Sequence, residues 1–424
     1  MSTPTSQAGQ DPTAAPGIAL DRGDERLITN TSLLDAVNDF VRRVRGGDLG
    51  SLPVVLGLVV ISIVFYAQDA TFLSSRTLVN ITLFAAPIGI IAIGVVLVLL
   101  LGEIDLSVGS VSGLAASVLA VLVVNHGQSL WIGLLAGCAV GVGVGLLYGL
   151  LFTKVGIPSF VITLAGLLGF LGLQLVVLGD KGTINLPRES GLIEFTRQSF
   201  VTGAAAYMLV VAAVAAYGLA SFWGMRRREA AGLSRQAYSV LAVKVGALLI
   251  ALLAFVNYLD IDRGVGYLPL LFVALVVGMD LVLRKTTWGR HVFAVGGNVE
   301  AARRSGIKVT RIYLSVFALT GLFAALGGLL AAGQLTSVSQ ATGGTDTNLT
   351  AIAAAVIGGT SLFGGRGTAY AALLGILVLQ SIQSGLNVIG VESSVRFIVT
   401  GAVLLLAVAI DSISRKARTQ SGRG

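Results

Sequence analysis

Apolar runs of about twenty residues recur through most of this 424-residue chain, and no other feature limits its fold so severely. A bilayer core of ~30 Å takes about 20 apolar residues of helix. Twelve stretches qualify, near 52–67, 79–101, 106–124, 130–152, 157–179, 203–224, 239–259, 267–283, 312–335, 348–363, 369–388 and 395–413. Lipid offers no partner for a bare N–H or C=O, so each stretch must satisfy its own backbone as a helix. The predicted architecture is an all-α, polytopic transmembrane bundle of about 12 spans, with 10 as the lower bound. The first stretch is short, as is the tenth, NLTAIAAAVIGGTSLF, which reads as a broken or re-entrant element. Composition agrees. Hydrophobic residues are 55% and charged ones 12%, against roughly a quarter charged in a soluble domain. Glycine, at 55 residues against 8 prolines, lets helix backbones approach closely in lipid.

The formal charge of +8 sits between the apolar stretches, where basic residues orient a membrane protein, so no nucleic-acid partner is expected. With both termini inside, 22 of the 29 Lys and Arg fall on the cytoplasmic side. Only Arg76, Lys181, Arg188, Arg197, Arg263 and Arg396 fall outside, and Lys244 lies within a helix near its inner end. The expected location is the cell membrane, crossed many times. Residues 1–31 are polar, lack the basic start and apolar core of a signal peptide, and read as a disordered cytoplasmic tail. Residues 32–46, capped by Ser32, read as an amphipathic helix on the inner surface, 50–416 as the transmembrane domain and 417–424 as a cytoplasmic tail. Cys138 is the single cysteine and lies in an apolar run, while His126 and His291 have no nearby carboxylate or thiol cluster. No metal site and no catalytic residue is expected.

The longest cytoplasmic connection, 284–311, carries a helix signal of its own. Asn298 can cap, Val299 to Ser305 form about two turns, and Gly306 supplies a left-handed stop. Glu300 near its start and Arg303 and Arg304 near its end suit the helix dipole. Such a helix is either a docking element for a cytoplasmic partner or an ordinary structured loop. Asp105, in GEIDLSVGS, sits between two apolar helices. It either caps the following helix through the Ser107 region or lines the cargo path. Asp105, Ser107, Thr163 and Gln174 are the translocation-path candidates. Gly141, Gly145 and Gly149 place three bare positions on one helix face for close packing. Asp280 and Arg284 are spaced for a local ion pair. The segment GGTSLFGGRG, 358–367, is expected to be a flexible inner connection. No GxxxxGK[ST] phosphate loop occurs, so ATP has no cradle of that kind in this chain.

Three blocks carry a resemblance: LGEIDLSVGSVSGL (101–114), GRHVFAVGGNVEAARRSGI (289–307) and AIAAAVIGGTSLFGGRGT (351–368). They resemble, in order, the permeases of the ribose, xylose, arabinose and galactose importers of the ABC class, and the resemblance covers roughly 50–416. It implies that Glu300, Ala301, Ala302 and Gly306 form the coupling helix seated on a separate cytoplasmic ATPase, which binds the ATP. It also implies an extracytoplasmic sugar-binding protein, a second copy of the permease, and a transport subunit that is not itself an enzyme and holds no cofactor. What looks like an extra helical pair before the coupling loop is similar to the xylose-type permeases, which makes xylose the first cargo. Glu103 stands where many such permeases have glycine. The alternatives are the same machine carrying branched-chain amino acids or nucleosides, or an ion-driven secondary transporter.

Overall fold

In the computed structural model the structure describes residues 52–233 and 237–392 together with 394–396, 398–403, 405 and 409, and these are mostly helical. The expected segments 1–31, 32–46 and 417–424 lie outside the described residues. The chain divides into two compact units. Of the described residues, the larger holds those of 52–206 and those from Val256 onward, and the smaller those of Tyr207–Phe255.

Thirteen helices matter to the argument. They are α1 (Leu52–Gln68), α2 (Ser75–Leu100), α3 (Val108–Ala120), α4 (Leu130–Leu150), α5 (Ser159–Leu178), α6 (Gly203–Ala230) and α7 (Tyr238–Leu259), followed by α8 (Tyr267–Lys285), α9 (Thr287–Gly297), α10 (Val299–Arg304), α11 (Val309–Leu335), α12 (Thr345–Ile357) and α13 (Tyr370–Val388). Turns of π-helix extend α3 to Asn125 and α4 to Val155. Among the described residues nine helices are long and apolar enough to cross a membrane, while Leu52–Gln68 and Ser394–Val403 are apolar but shorter. Nine of the twelve expected spans are therefore met with shifted ends, while the first and tenth correspond to shorter helices and most of the twelfth lies outside the described residues.

That tenth element is α12, with 13 residues. At 1.5 Å per residue it is about 20 Å long, short of a ~30 Å bilayer core. The preceding helix, α11, has 27 residues, about 40 Å, and is long enough to cross. The chain between them makes strand β4 (Ser337–Ser339) and then turns back down, so that the carbonyls of Thr342 and Gly343 rest against Gly113 and Gly109 of α3. This is a broken element, an extended stretch followed by a short helix, whose bare backbone is shielded by protein instead of lipid. Strand β1 (Thr183–Asn185) pairs antiparallel with β4, and β2 (Phe200–Val201) pairs with β3 (Val265–Gly266).

The core sits around α2, whose apolar side chains are buried nearly all round, as a helix without a polar face requires. Close approach is purchased with glycine. A Cβ at Gly145 would lie 2.1 Å from the Phe317 carbonyl oxygen, one at Gly141 would lie 2.2 Å from Gly321 O, and one at Gly321 would lie 2.0 Å from Gly141 O. The glycine stripe on α4 is thus the seam with α11. In the smaller unit, Phe222 meets Tyr238 and Gly218 meets Val245, so α6 and α7 run antiparallel. Exposed apolar side chains such as Trp131, Leu168, Leu219 and Ile250 suit a lipid-facing surface. Asp280 and Arg284 form the expected ion pair at 2.9 Å.

Candidate functional site

The connection 284–311 holds two helices where the sequence signal marks one. Thr286 caps α9 by accepting the Gly289 amide at 3.1 Å. Asn298 ends α9 and caps α10, its Oδ1 accepting the Ala301 amide at 2.9 Å. α10 ends at Arg304, one residue before the predicted Ser305. Gly306 has φ +82°. Its N–H donates to Arg303 O at 3.0 Å and the Ile307 N–H donates to Ala302 O at 3.1 Å, the paired bonds of a Schellman stop. Of the four residues expected in the coupling helix, Glu300, Ala301 and Gly306 are exposed and Ala302 is buried in the core, so the helix is anchored on one face and open on the other. Glu300 pairs with Arg303 at 2.9 Å, both well exposed.

The three blocks that carry the family resemblance converge here. The Leu100 carbonyl accepts the Gly365 amide at 2.8 Å, and a Cβ at Gly296 would lie 1.8 Å from that same carbonyl oxygen. A Cβ at Gly364 would lie 2.7 Å from Gly296 O and 2.9 Å from Gly102 N. The segment 358–367 is therefore tied to the ends of α2 and α9, unlike the flexible connection expected of it.

The path candidates fall into two groups. In the first, Asp105 is buried and its Oδ1 accepts both the Ser107 amide and the Ser107 hydroxyl at 2.8 Å, so the capping role is met in substance although α3 begins only at Val108. The Tyr148 hydroxyl donates to Ser107 Oγ at 2.8 Å. Thr163 donates to Ser159 O at 3.0 Å and is within 3.3 Å of Ile104 O. Gln174 belongs to the second group, where its Nε2 holds the turn between β4 and α12 by donating to Ser339 O at 3.1 Å and Thr342 O at 2.9 Å. Asn348 Nδ2 donates to Leu106 O. The amide oxygens of Gln174 and Asn348 are buried without a hydrogen-bond partner among the described residues. The Gln174 oxygen faces Gly113, and Asn348 packs its Cβ against Gly109, one turn earlier on α3.

Two site residues, Tyr148 and Asn348, escaped the sequence reading. The signal for Tyr148 is Gly166, where a Cβ would lie 1.7 Å from the Tyr148 hydroxyl. Glu103, in the α2–α3 connection, accepts a hydrogen bond from Ser159 Oγ at 2.5 Å. Burial pushes its carboxyl above the ordinary glutamate value despite the Ser159 donor. Among the described residues no group of three His, Cys, Asp or Glu side chains could hold a metal ion.

A family model described as the branched-chain amino acid transport system / permease component matches residues 77–408. The xylose transport system permease protein XylH of Escherichia coli K12 is 35% identical over 351 residues, 83% of this chain and 88% of that one. The ribose import permease protein RbsC of Bacillus subtilis is 33% identical over 365 residues, 86% and 94% of the two chains. The fructose import permease protein FrcC of Rhizobium meliloti is 29% identical over 374 residues, 86% and 85%. No solved structure matches. A family model spanning most of the chain, and relatives aligned over most of both partners, place this protein in that family of transport-system permeases.

Proposed function

We propose that this chain is the membrane-spanning permease subunit of an ATP-driven importer, that its cargo is a monosaccharide, and that xylose is the first cargo to test. The observation carrying this reading is the alignment with sugar permeases over most of both chains, in the expected multi-pass helical setting. The permease domain spans 50–416 with both termini inside. Its partners are a cytoplasmic ATPase, an extracytoplasmic sugar-binding protein and a second copy of the chain. The ATPase binds the ATP, and this chain contributes no catalytic residue and no cofactor site.

Glu300, Ala301, Ala302 and Gly306 couple the two machines. The support is geometric, since α10 is capped at both ends, exposed on the side carrying Glu300 and Ala301, and anchored through Ala302. ATPase closure displaces α10, and α11, four residues further on, carries that motion into the membrane. Asp105, Ser107, Thr163 and Gln174 line the path, and Tyr148 and Asn348 join them. The test is uptake of radiolabelled xylose by a deletion strain complemented with this chain. Excess ribose or fructose should compete and leucine should not. Competition by leucine and adenosine but by no sugar would transfer the cargo to the other reading, to which the family description also points.

A further inference from the structure

We propose that Lys244 marks a binding site for an anionic phospholipid of the inner leaflet, built on the α6–α7 hairpin. The site rests on the orientation proposed above, with both termini inside, and is independent of the cargo.

α7 has 22 residues, about 33 Å of helix, enough to cross the bilayer core once. Only 17% of the apolar span is buried by protein in α6, and likewise in α7, so lipid covers most of both helices. Lys244 lies six residues, about 9 Å, inside the start of α7 and is exposed, beside the exposed Ala242 and Val243. An ionisable side chain at that depth is costly without a partner of opposite charge. Its own unit does not supply one. Between Tyr207 and Phe255 the sole carboxylate is Glu229, against the cations Arg226, Arg227, Arg228, Arg235 and Lys244. Phe222 and Tyr238, with ring centroids 5.9 Å apart, mark one level of the antiparallel pair. Glu229 lies seven residues beyond that level on one side and Lys244 six on the other, about 20 Å apart along the axes and more than the two side chains can span. Among the described residues Lys244 forms no ion pair.

In a lipid setting the anion within reach is the phosphate of an inner-leaflet headgroup. Helix geometry directs the cations toward it, because each side chain leans toward the N-terminus of its own helix. In α7 that direction is toward the cytoplasm, which brings the Lys244 ammonium back toward the Tyr238 level. In α6 it is toward the membrane, and Arg226 shows the result, its guanidinium carbon lying 5.5 Å from the centroid of the Phe222 ring one turn back. Cations of both helices therefore lean into the layer of Phe222 and Tyr238. Trp223, 65% exposed, stands at that layer, where amphipathic rings meet headgroups. The layer matches a headgroup phosphate in charge, and the apolar surface above it matches acyl chains. A negatively charged phospholipid satisfies both, whereas a free phosphate satisfies only the first.

The test uses the full chain purified in neutral detergent. The probes are phosphatidylglycerol and phosphatidylcholine, each carrying a fluorophore at the end of one acyl chain. The parent should bind phosphatidylglycerol at least fivefold more tightly than phosphatidylcholine. Lys244→Gln should lower the phosphatidylglycerol affinity about fivefold, the worth of one cation near the headgroups, and Lys244→Arg should stay within twofold of the parent. Arg226→Gln and Arg227→Gln should each lower it about twofold. Lys285→Gln, which removes an exposed inner cation of α8, should change it less than twofold. Lys244→Leu, better suited to lipid, should reach the membrane at the parent level while losing the preference, which separates the site from folding. Equal affinity of the parent for the two lipids, or unchanged binding by Lys244→Gln, would overturn the site. A loss in Lys285→Gln as large as that in Lys244→Gln would also overturn it, because it marks diffuse attraction to inner cations. Displacement of the probe by millimolar inorganic phosphate would overturn the lipid assignment.

Discussion

Gly306→Val isolates a backbone effect in the coupling helix. Gly306 has φ +82°, and nothing lies within 4 Å of a Cβ built there, so the substitution meets no side chain or carbonyl. What remains is the left-handed conformation itself, which costs an L-residue about 1–2 kcal/mol. That is a factor of roughly 5–30 against the formed stop, yet small beside a domain stability of about 5–15 kcal/mol. The bonds at risk are the two that close α10, from Gly306 N–H to Arg303 O and from Ile307 N–H to Ala302 O. The variant should reach the membrane at near-normal amounts by immunoblot. Initial xylose uptake should fall at least fivefold, and less ATPase should copurify. Gly306→Asn should be milder, because Asn tolerates this region best after Gly. Full uptake and normal ATPase recovery in Gly306→Val would show that the left-handed stop is not needed, and that 298–306 is only a surface helix.

Three further substitutions probe other parts of the account. Glu300→Lys places a cation at the positive end of α10 and beside Arg303, a local penalty of up to ~1 kcal/mol, and should weaken ATPase copurification without lowering the membrane level. Gly145→Val drives a side chain into the Phe317 carbonyl, an overpacking cost of about 1–3 kcal/mol or more, so thermal stability in detergent should drop and the membrane level with it. Gly166→Ala displaces the Tyr148 hydroxyl from Ser107, and uptake should fall more than the protein level, whereas equal losses would make Tyr148 a packing residue.

The spans were legible because each is a continuous apolar run, and lipid permits such a run only one hydrogen-bonded form. α10 was legible for a different reason. Its cap and stop, Asn298 and Gly306, are local signals that need no tertiary partner. α9 was not, since TWGRHVFAVGG carries three glycines that oppose a helix by propensity. Packing overrides that preference, because Gly289 and Gly296 must clear the carbonyls of Leu283 and Leu100. The path was half legible. Asp105 and Ser107 are sequence neighbours, but the Tyr148 to Ser107 bond joins residues 41 apart and the Asn348 to Leu106 bond residues 242 apart, and no local pattern reports either. The strand pairs, two or three residues long, were invisible for the same reason.

The central claim is that sugar crosses through this chain while a separate polypeptide supplies ATP hydrolysis. It is tested most directly in proteoliposomes made with the tagged complex and, in parallel, with the purified chain alone. Labelled xylose should accumulate only with the complex and only when ATP is present on the ATPase side, and the lone chain should neither hydrolyse ATP nor concentrate sugar. Xylose accumulation by the lone chain under a proton gradient, without ATP, would contradict the account.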